Sequence, residues 1–430
     1  MNARTFLLPL LATAAVVPPA MAAAQSAQPA PAIAVPKADP LAVAPVPPLA
    51  PVVPVELPPP FWQASAAGEL LAYIRQVGRE GLDPRDYDPG KLELALRGGD
   101  PTTLARVATD SFNRLARDLA LGHVRGAARH QWFVVDKDLE GDRARQLLMQ
   151  AVTTMRVADT LNSLLPTHPQ YWSLKNALTL ANPTDALAIN KIRLNMDRWR
   201  WLPRDLGERY IIVNVPGQAA TLVENSQTRW KRRAIAGAVK TPTPQLSVNA
   251  TGVILNPWWE VPKSIAPSVA GKGGYVAVRG KDGKVQRWRQ PPGPGNALGK
   301  IKFVMPNDHA IYLHDTNNRG LFDARARFLS HGCIRTEHIL DLAAELLSDD
   351  AGEWNAARID ETLKSGKTVQ ANFVKPVPVY IVYFSTAALT DGSLTQYADL
   401  YGRDGRVLAA LTDRDGGAKS AASAAKTAAK

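Results

Sequence analysis

From residue 61 to about 180 the apolar positions recur at helical spacing. Leu70, Leu71, Ile74 and Val77 share one helical face, and Leu104, Val107, Ala108, Phe112, Leu115 and Leu119 repeat the i, i+3, i+4 pattern over a longer run. Gly122 is a stop signal for that second helix, and Pro166 and Pro169 interrupt the next segment. One more helix is predicted through Ile189–Leu194, ending near Arg198-Trp199-Arg200-Trp201. The Arg/Trp alternation fits stacking on bases or sugars, but tryptophans packed between layers, with arginines closing the last turn, is the preferred reading. His123, His130 and His168 are isolated and read as structural or exposed. After residue 208 the period becomes two. Strands are predicted at 210–215, 234–237, 252–255, 302–305, 310–313, 369–373 and 379–384, with turn signals at Pro242, Pro244, Asp282-Gly283 and Pro292-Gly293. One helix interrupts them, starting after Thr336 and carrying Ile339, Leu340, Leu342, Ala343, Leu346 and Leu347. The fold class expected is α+β: a helical N-terminal scaffold followed by a mostly β domain.

The two ends read differently. Arg4, the apolar run from Phe6 to Val17, and the small-x-small triplets Ala20-Met21-Ala22 and Ala22-Ala23-Ala24 predict a signal peptide over 1–24, cleaved near Ala23 or Gln25; an uncleaved anchor is the alternative. Residues 25–60 are a Pro/Ala-rich linker of extended character, and 413–430 a basic tail expected to be disordered. Between them lie a scaffold domain over 61–188 and a second domain over 189–412. Hydrophobic content of 46% and charged content of 21% suit a soluble globular chain. A net charge of +12 favours an anionic contact such as a wall polymer or membrane surface. The basic residues are spread along the chain, which argues against nucleic acid. No Walker loop, dinucleotide fingerprint or zinc-finger spacing is present.

The chain has one cysteine, Cys333. An exported protein with a single thiol cannot form an internal disulfide, so the thiol is either inert and buried or used. Its neighbours, Ser330-His331-Gly332-Cys333-Ile334-Arg335, are poor company for a core residue. Nineteen positions earlier His314 closes a strand, where its side chain can project at a sheet edge. A thiol attacks as thiolate, and imidazole can take its proton. Asp315 can orient that imidazole through its carbonyl or its side chain. Gly332 permits a sharp turn that aims the amides of Gly332 and Cys333 at a developing oxyanion. Arg335 supplies a fixed positive charge for a substrate carboxylate. Zinc ligation by His314, His331 and Cys333 is a weaker reading, because His331 and Cys333 are too close in sequence to make a comfortable ligand pair; no metal and no cofactor are expected.

His314 followed by the 330–335 motif resembles the signature of the YkuD-type L,D-transpeptidases. The segment Asn195–Pro203, the stretch Asn256–Ile265 and Tyr312–Thr316 resemble the large YcbB-type members, and the similarity covers roughly 61–411. The resemblance implies a catalytic domain of YkuD type over 189–412 in a periplasmic protein. It implies Cys333 as nucleophile, His314 as base, Asp315 as orienter through its carbonyl, and Gly332 with Cys333 as oxyanion donors. Ser330, His331, Arg335, Tyr312, Trp258 and Trp259 would bind substrate. The implied reaction joins peptidoglycan stem peptides: a thioester forms at the third stem residue, terminal D-alanine leaves, and a second stem amine takes the acyl group to give a 3–3 cross-link. Water or a free D-amino acid as acceptor would make the same site a carboxypeptidase or exchange enzyme; a non-catalytic wall-binding scaffold is the rival from another class. Carbapenem-type inhibitors are implied ligands, and a monomer is expected. Two departures stand out. Residues 176–189 leave no room for a peptidoglycan-binding module, and the insert at 266–298 is short and Gly/Pro-rich, which suggests a mobile flap.

Overall fold

Apolar periodicity and capping together explain the helical half. In the computed structural model, which describes residues 58–349, 353–388 and 393–414, it comprises α1 (Ala64–Arg75), α2 (Pro89–Gly98), α3 (Pro101–Leu121), the two-residue strand β1 (Trp132–Phe133), α4 (Arg143–Thr154), α5 (Val157–Asn162) and α6 (Pro169–Leu180). The expected signal peptide, nearly all of the linker and the tail from 415 lie outside the described residues. Helix α3 shows the logic most fully. Asp100 accepts from the amides of Thr102 and Thr103, Pro101 occupies the first turn, and the helix ends at Gly122 with φ +80°. Its predicted stripe is the buried one, with Ala108, Phe112, Leu115 and Leu119 fully enclosed.

Helix α7 (Ala186–Trp199) follows after five residues. The predicted domain boundary at 188/189 therefore falls inside a helix. Ile192, Met196 and Trp199 of α7 belong to the helical core, which also takes in Tyr210, Tyr380, Val382 and Phe384 from the β half. The helices and one face of the sheet thus share one core. Trp199 and Trp201 are buried as expected, and so are their arginines. Arg198 pairs with Asp404 at 2.7 Å, and Arg200 donates to the hydroxyl of Tyr171 at 2.7 Å. Arg198 lies in the last turn of α7 and Arg200 is its C-cap residue, as expected, and their guanidiniums also serve as internal ties.

The remaining elements are β2 (Arg209–Asn214), β3 (Ala219–Glu224), β4 (Gln227–Gly237), β5 (Gln245–Leu255), β6 (Trp259–Glu260), α8 (Ala266–Val269), β7 (Val276–Arg279), β8 (Val285–Gln290), β9 (Ile301–Val304), β10 (Leu313–His314), β11 (Phe328–Ser330), β12 (Ile334–Thr336), α9 (Ile339–Leu347), α10 (Ala356–Lys364), β13 (Val369–Val382), β14 (Thr386–Ala388), β15 (Leu394–Gln396) and α11 (Asp404–Thr412). The main sheet runs β5-β13-β2-β3-β4-β12-β10-β9, and β9 pairs back onto β5, so the path closes; β1 and β11 add at β5 and β4. Closure removes exposed edges. Alternation assigns the two faces: Ile211, Val213, Val379 and Ile381 enter one core, while Tyr210, Ile212, Tyr380 and Val382 meet the helices.

Two predicted strands, 369–373 and 379–384, are one strand, β13, with a register irregularity between Asn372 and Val377. Pro376 falls in that gap, where a missing amide donor disrupts no regular ladder. Conversely, the strand predicted at 310–313 shortens to Leu313–His314, because Ala310 takes φ +52° and turns the chain.

Candidate active site

The closed sheet brings the nucleophile and base candidates together through register. β10 and β12 are parallel, with Leu313 opposite Ile334 and His314 opposite Arg335, and His314 also faces Lys302 on β9. Side chains alternate, so Leu313, Ile334, Ile301 and Phe303 go into the core. His314, Arg335 and Lys302 then share the opposite face, and Tyr312 and Cys333 continue the same parity toward the start of each strand. The expectation that His314 lies at a sheet edge is corrected: β10 sits between β9 and β12, and His314 is only 5% exposed.

Burial governs the charge states. Desolvation, then the nearby Arg335, lowers the His314 pKa to about 3. The Asp315 backbone favours protonation, but Nδ1 has no hydrogen-bond partner of normal geometry. Desolvation likewise raises the Cys333 thiol above its ordinary value, opposed by the backbone and hydroxyl of Tyr312, then Lys302 and Arg335. The resting pair is therefore a neutral thiol and a neutral imidazole. No hydrogen bond joins them among the described contacts; the sulfur instead meets the backbone and hydroxyl of Tyr312 and the Ala310 carbonyl, the last at 3.5 Å.

Two cations stand over this pair. Arg335 is half-buried, forms no ion pair among the described residues, and has an unpartnered Nε. The Lys302 ammonium lies 4.1 Å from the ring centre of Tyr312, and burial lowers its pKa. Neither cation is in an ion pair among the described residues, Glu260 acting on Lys302 only at longer range, and two such cations suit an anionic ligand.

The Cys333 loop is held by hydroxyls. Gly332 adopts φ +117°, which a side chain would strain, confirming the predicted turn. Its amide, however, donates to Ser330 Oγ at 3.1 Å and is not free for an oxyanion; Ser330 in turn donates to the Cys333 carbonyl at 2.6 Å. Ser330 is thus a loop brace rather than a substrate contact. The Asp315 carboxylate accepts from the Lys300 amide at 2.9 Å and from Arg319 at 3.1 Å, so its side chain braces the 299–319 region instead of orienting His314. His331 is exposed.

Within the 266–298 insert, read from sequence as a flap, β7 and β8 form a three-stranded sheet with β6, in the order β6-β8-β7. Trp259 pairs with Gln290 in it, packs 6.3 Å from Tyr275, and interacts through its side chain with Tyr312. Trp258 lies under Arg289 at 4.5 Å and stays partly exposed. Of the predicted binding aromatics, Trp259 and Tyr312 therefore meet. Sequence reasoning missed Lys302: one lysine in a strand carries no signal until the register places it beside His314.

Residues 208–379 match the L,D-transpeptidase catalytic domain of the YkuD family, and residues 58–178 match a Scaffold domain. A Haemophilus influenzae protein named "Putative L,D-transpeptidase" is 30% identical over 290 residues, covering 61% of this chain. The chain spans 58% of that relative's length. Among solved structures, an Enterococcus faecium L,D-transpeptidase mutant is 13% identical, with 42% of this chain and 52% of that one covered and a TM-score of 0.22. Mycobacterium tuberculosis L,D-transpeptidase 1 is 14% identical, with 41% and 61% covered and a TM-score of 0.20. The first match contains every candidate site residue and the second spans α1 through most of α6, so the chain carries a YkuD-type L,D-transpeptidase catalytic domain behind a Scaffold domain.

Proposed function

We infer that this protein is a peptidoglycan L,D-transpeptidase acting through a cysteinyl acyl-enzyme at Cys333. The observation that carries the reading is the single sheet face on which the thiol, a neutral imidazole and two cations outside any described ion pair lie together. A stem peptide ending in D-alanine is an anion with an amide one residue inside its terminus, which suits that face. The thiol proton passes to His314 as sulfur bonds to the carbonyl carbon of the third stem residue. The bond from that carbon to the D-alanine nitrogen then breaks, and the leaving amine takes the proton. A second stem's side-chain amine attacks the thioester, an amide forms, and the sulfur recovers a proton. Arg335 and Lys302 hold carboxylates. In this reading the site works in the periplasm, on the growing wall.

The test is incubation of the purified protein with tetrapeptide muropeptides and analysis of products by mass spectrometry, wild type beside Cys333→Ala. Dimers linked 3–3, formed only with the thiol, are expected. Tripeptides without dimers would convert the assignment to a carboxypeptidase, and exchange with added D-amino acids to an exchange enzyme. Absence of any thiol-dependent product would overturn it in favour of a wall-binding scaffold.

A further inference from the structure

The Cys333 loop is fastened from behind by a residue outside the 330–335 motif. Thr243 lies in the connection between β4 and β5 and is fully buried. Its hydroxyl donates to the Gly332 carbonyl at 2.8 Å and accepts from the Gly237 amide at 2.9 Å. The Gly332 carbonyl and the Cys333 N–H belong to one planar trans peptide, in which they point in opposite directions. Anchoring the carbonyl on Thr243 therefore aims the Cys333 N–H away from Thr243. The neighbouring amides are occupied, Gly332 N–H by Ser330 Oγ and Ile334 N–H by the Tyr312 carbonyl at 3.1 Å. Among the described contacts the Cys333 amide has no acceptor. It belongs to the same residue as the sulfur, next to any tetrahedral carbon formed there.

We propose that Thr243 is a positioning residue for acyl transfer, holding the Cys333 amide as the oxyanion donor. The proposal rests on the acyl-transfer reading of Cys333 and adds to it the element that sets the donor's direction. Thr243 is itself held on three sides. Its amide donates to the Tyr401 hydroxyl at 3.3 Å, and that hydroxyl donates to the Gly237 carbonyl at 2.5 Å. Its carbonyl accepts from Arg403 at 3.1 Å; the same guanidinium nitrogen donates to Gln131 at 2.5 Å. Arg403 is buried over the rings of Tyr383 and Tyr401, at 4.8 and 4.9 Å. Gly237 is required for the approach, because a Cβ there would run into the Thr241 carbonyl and come within 2.8 Å of the Thr243 amide. Tyr401, Arg403 and Gln131 all lie outside residues 208–379, so the carboxyl-terminal and scaffold segments contribute to the donor's placement.

Two reactions at one sulfur separate this role from a general structural one. Alkylation by iodoacetamide passes through no oxyanion, whereas β-lactam acylation by imipenem does. Both are followed by intact mass on the full chain. Thr243→Val should slow acylation by at least about tenfold, since small misplacements of donors are costly, while alkylation keeps its wild-type rate. Thr243→Ser, which keeps the hydroxyl, should acylate as the wild type does. If the Val variant does not fold, Thr243→Ser beside Thr243→Ala decides, because the pair differs by the hydroxyl alone and only the Ala variant should acylate slowly. Wild-type acylation in the variant lacking the hydroxyl, or a joint fall of both reactions, would overturn the proposal. A wild type that is alkylated yet never acylated would overturn the acyl-transfer reading itself, and the proposal with it.

Discussion

His314 stands opposite Arg335 in parallel register, a buried imidazole beside a guanidinium that has no carboxylate partner among the described residues. After desolvation, this guanidinium is the second cause of the low His314 pKa, near 3. Arg335→Met should therefore raise that pKa, which an NMR titration of the His314 ring reads directly; an unchanged value would assign the shift to burial and Lys302. Under the proposed function the same variant should raise KM for a stem peptide more than it lowers kcat, because it removes the group assigned to a substrate carboxylate. Stability follows the depressed pKa. Between about 6.5, the unfolded value, and about 3 the unfolded chain binds the proton and the native chain does not, so this contribution is present above 6.5 and is lost as pH falls through that window.

The raised Cys333 pKa and the lowered His314 pKa leave no ion pair at rest. Thiolate absorbance near neutral pH should be absent, and the alkylation rate should keep rising beyond the ordinary thiol range. Lys302 is one of the groups that favour the thiolate. Lys302→Met should move the alkylation profile to still higher pH. A profile that stays in place would remove Lys302 from the site's electrostatics.

Ser330 is 3% exposed and its hydroxyl both accepts from the Gly332 amide and donates to the Cys333 carbonyl. Ser330→Ala leaves both backbone groups without that partner. A loss of about 1–3 kcal/mol in stability is expected from unsatisfied buried groups, together with a fall in acylation rate of about ten- to a hundredfold from loosening of the loop. Thermal melts and imipenem acylation measure the two separately. A stable, slow variant and an unstable, slow one are both compatible with a brace; a fast one is not.

The sequence carried the local chemistry and the long periodic elements. Leu104 to Leu119 read as a helix because capping, spacing and burial agree. Cys333, Gly332 and His314 stood out because their neighbours are incompatible with a core. What it did not carry depends on register and on contacts distant in the chain. Lys302 becomes significant only through its pairing with His314, and Thr243 only through a contact 89 positions away. The strands β6, β11 and β12 have two or three residues, too few to show a period, and β7 and β8 are largely exposed, so their residues do not alternate between buried and open positions. The role given to the Gly332 amide failed for a related reason: a glycine permits many directions for its N–H, and Ser330 selects one.

The scaffold supplies a pH response of opposite sign. His123 follows α3, with Nδ1 2.7 Å from Asp118 and Nε2 donating to the Asp413 carbonyl at 2.8 Å, while its amide donates to Asp197 of α7 at 2.6 Å. Burial alone would lower its pKa, but the hydrogen bond and charge of Asp118 outweigh it and raise the value to about 9. A raised value means that the native state holds the proton more tightly. The contribution is complete below about 6.5 and disappears as pH rises through about 9. Its size is on the order of 3 kcal/mol, from about 1.4 kcal/mol for each pH unit between the two values. Melting temperature should therefore fall between pH 6.5 and 9 in the wild type, and His123→Gln should start lower and fall less steeply. Parallel profiles for the two proteins would mean that His123 is neutral in the native state and that Asp118 is balanced by Arg125, which donates to it at 2.6 Å, without help from the imidazole.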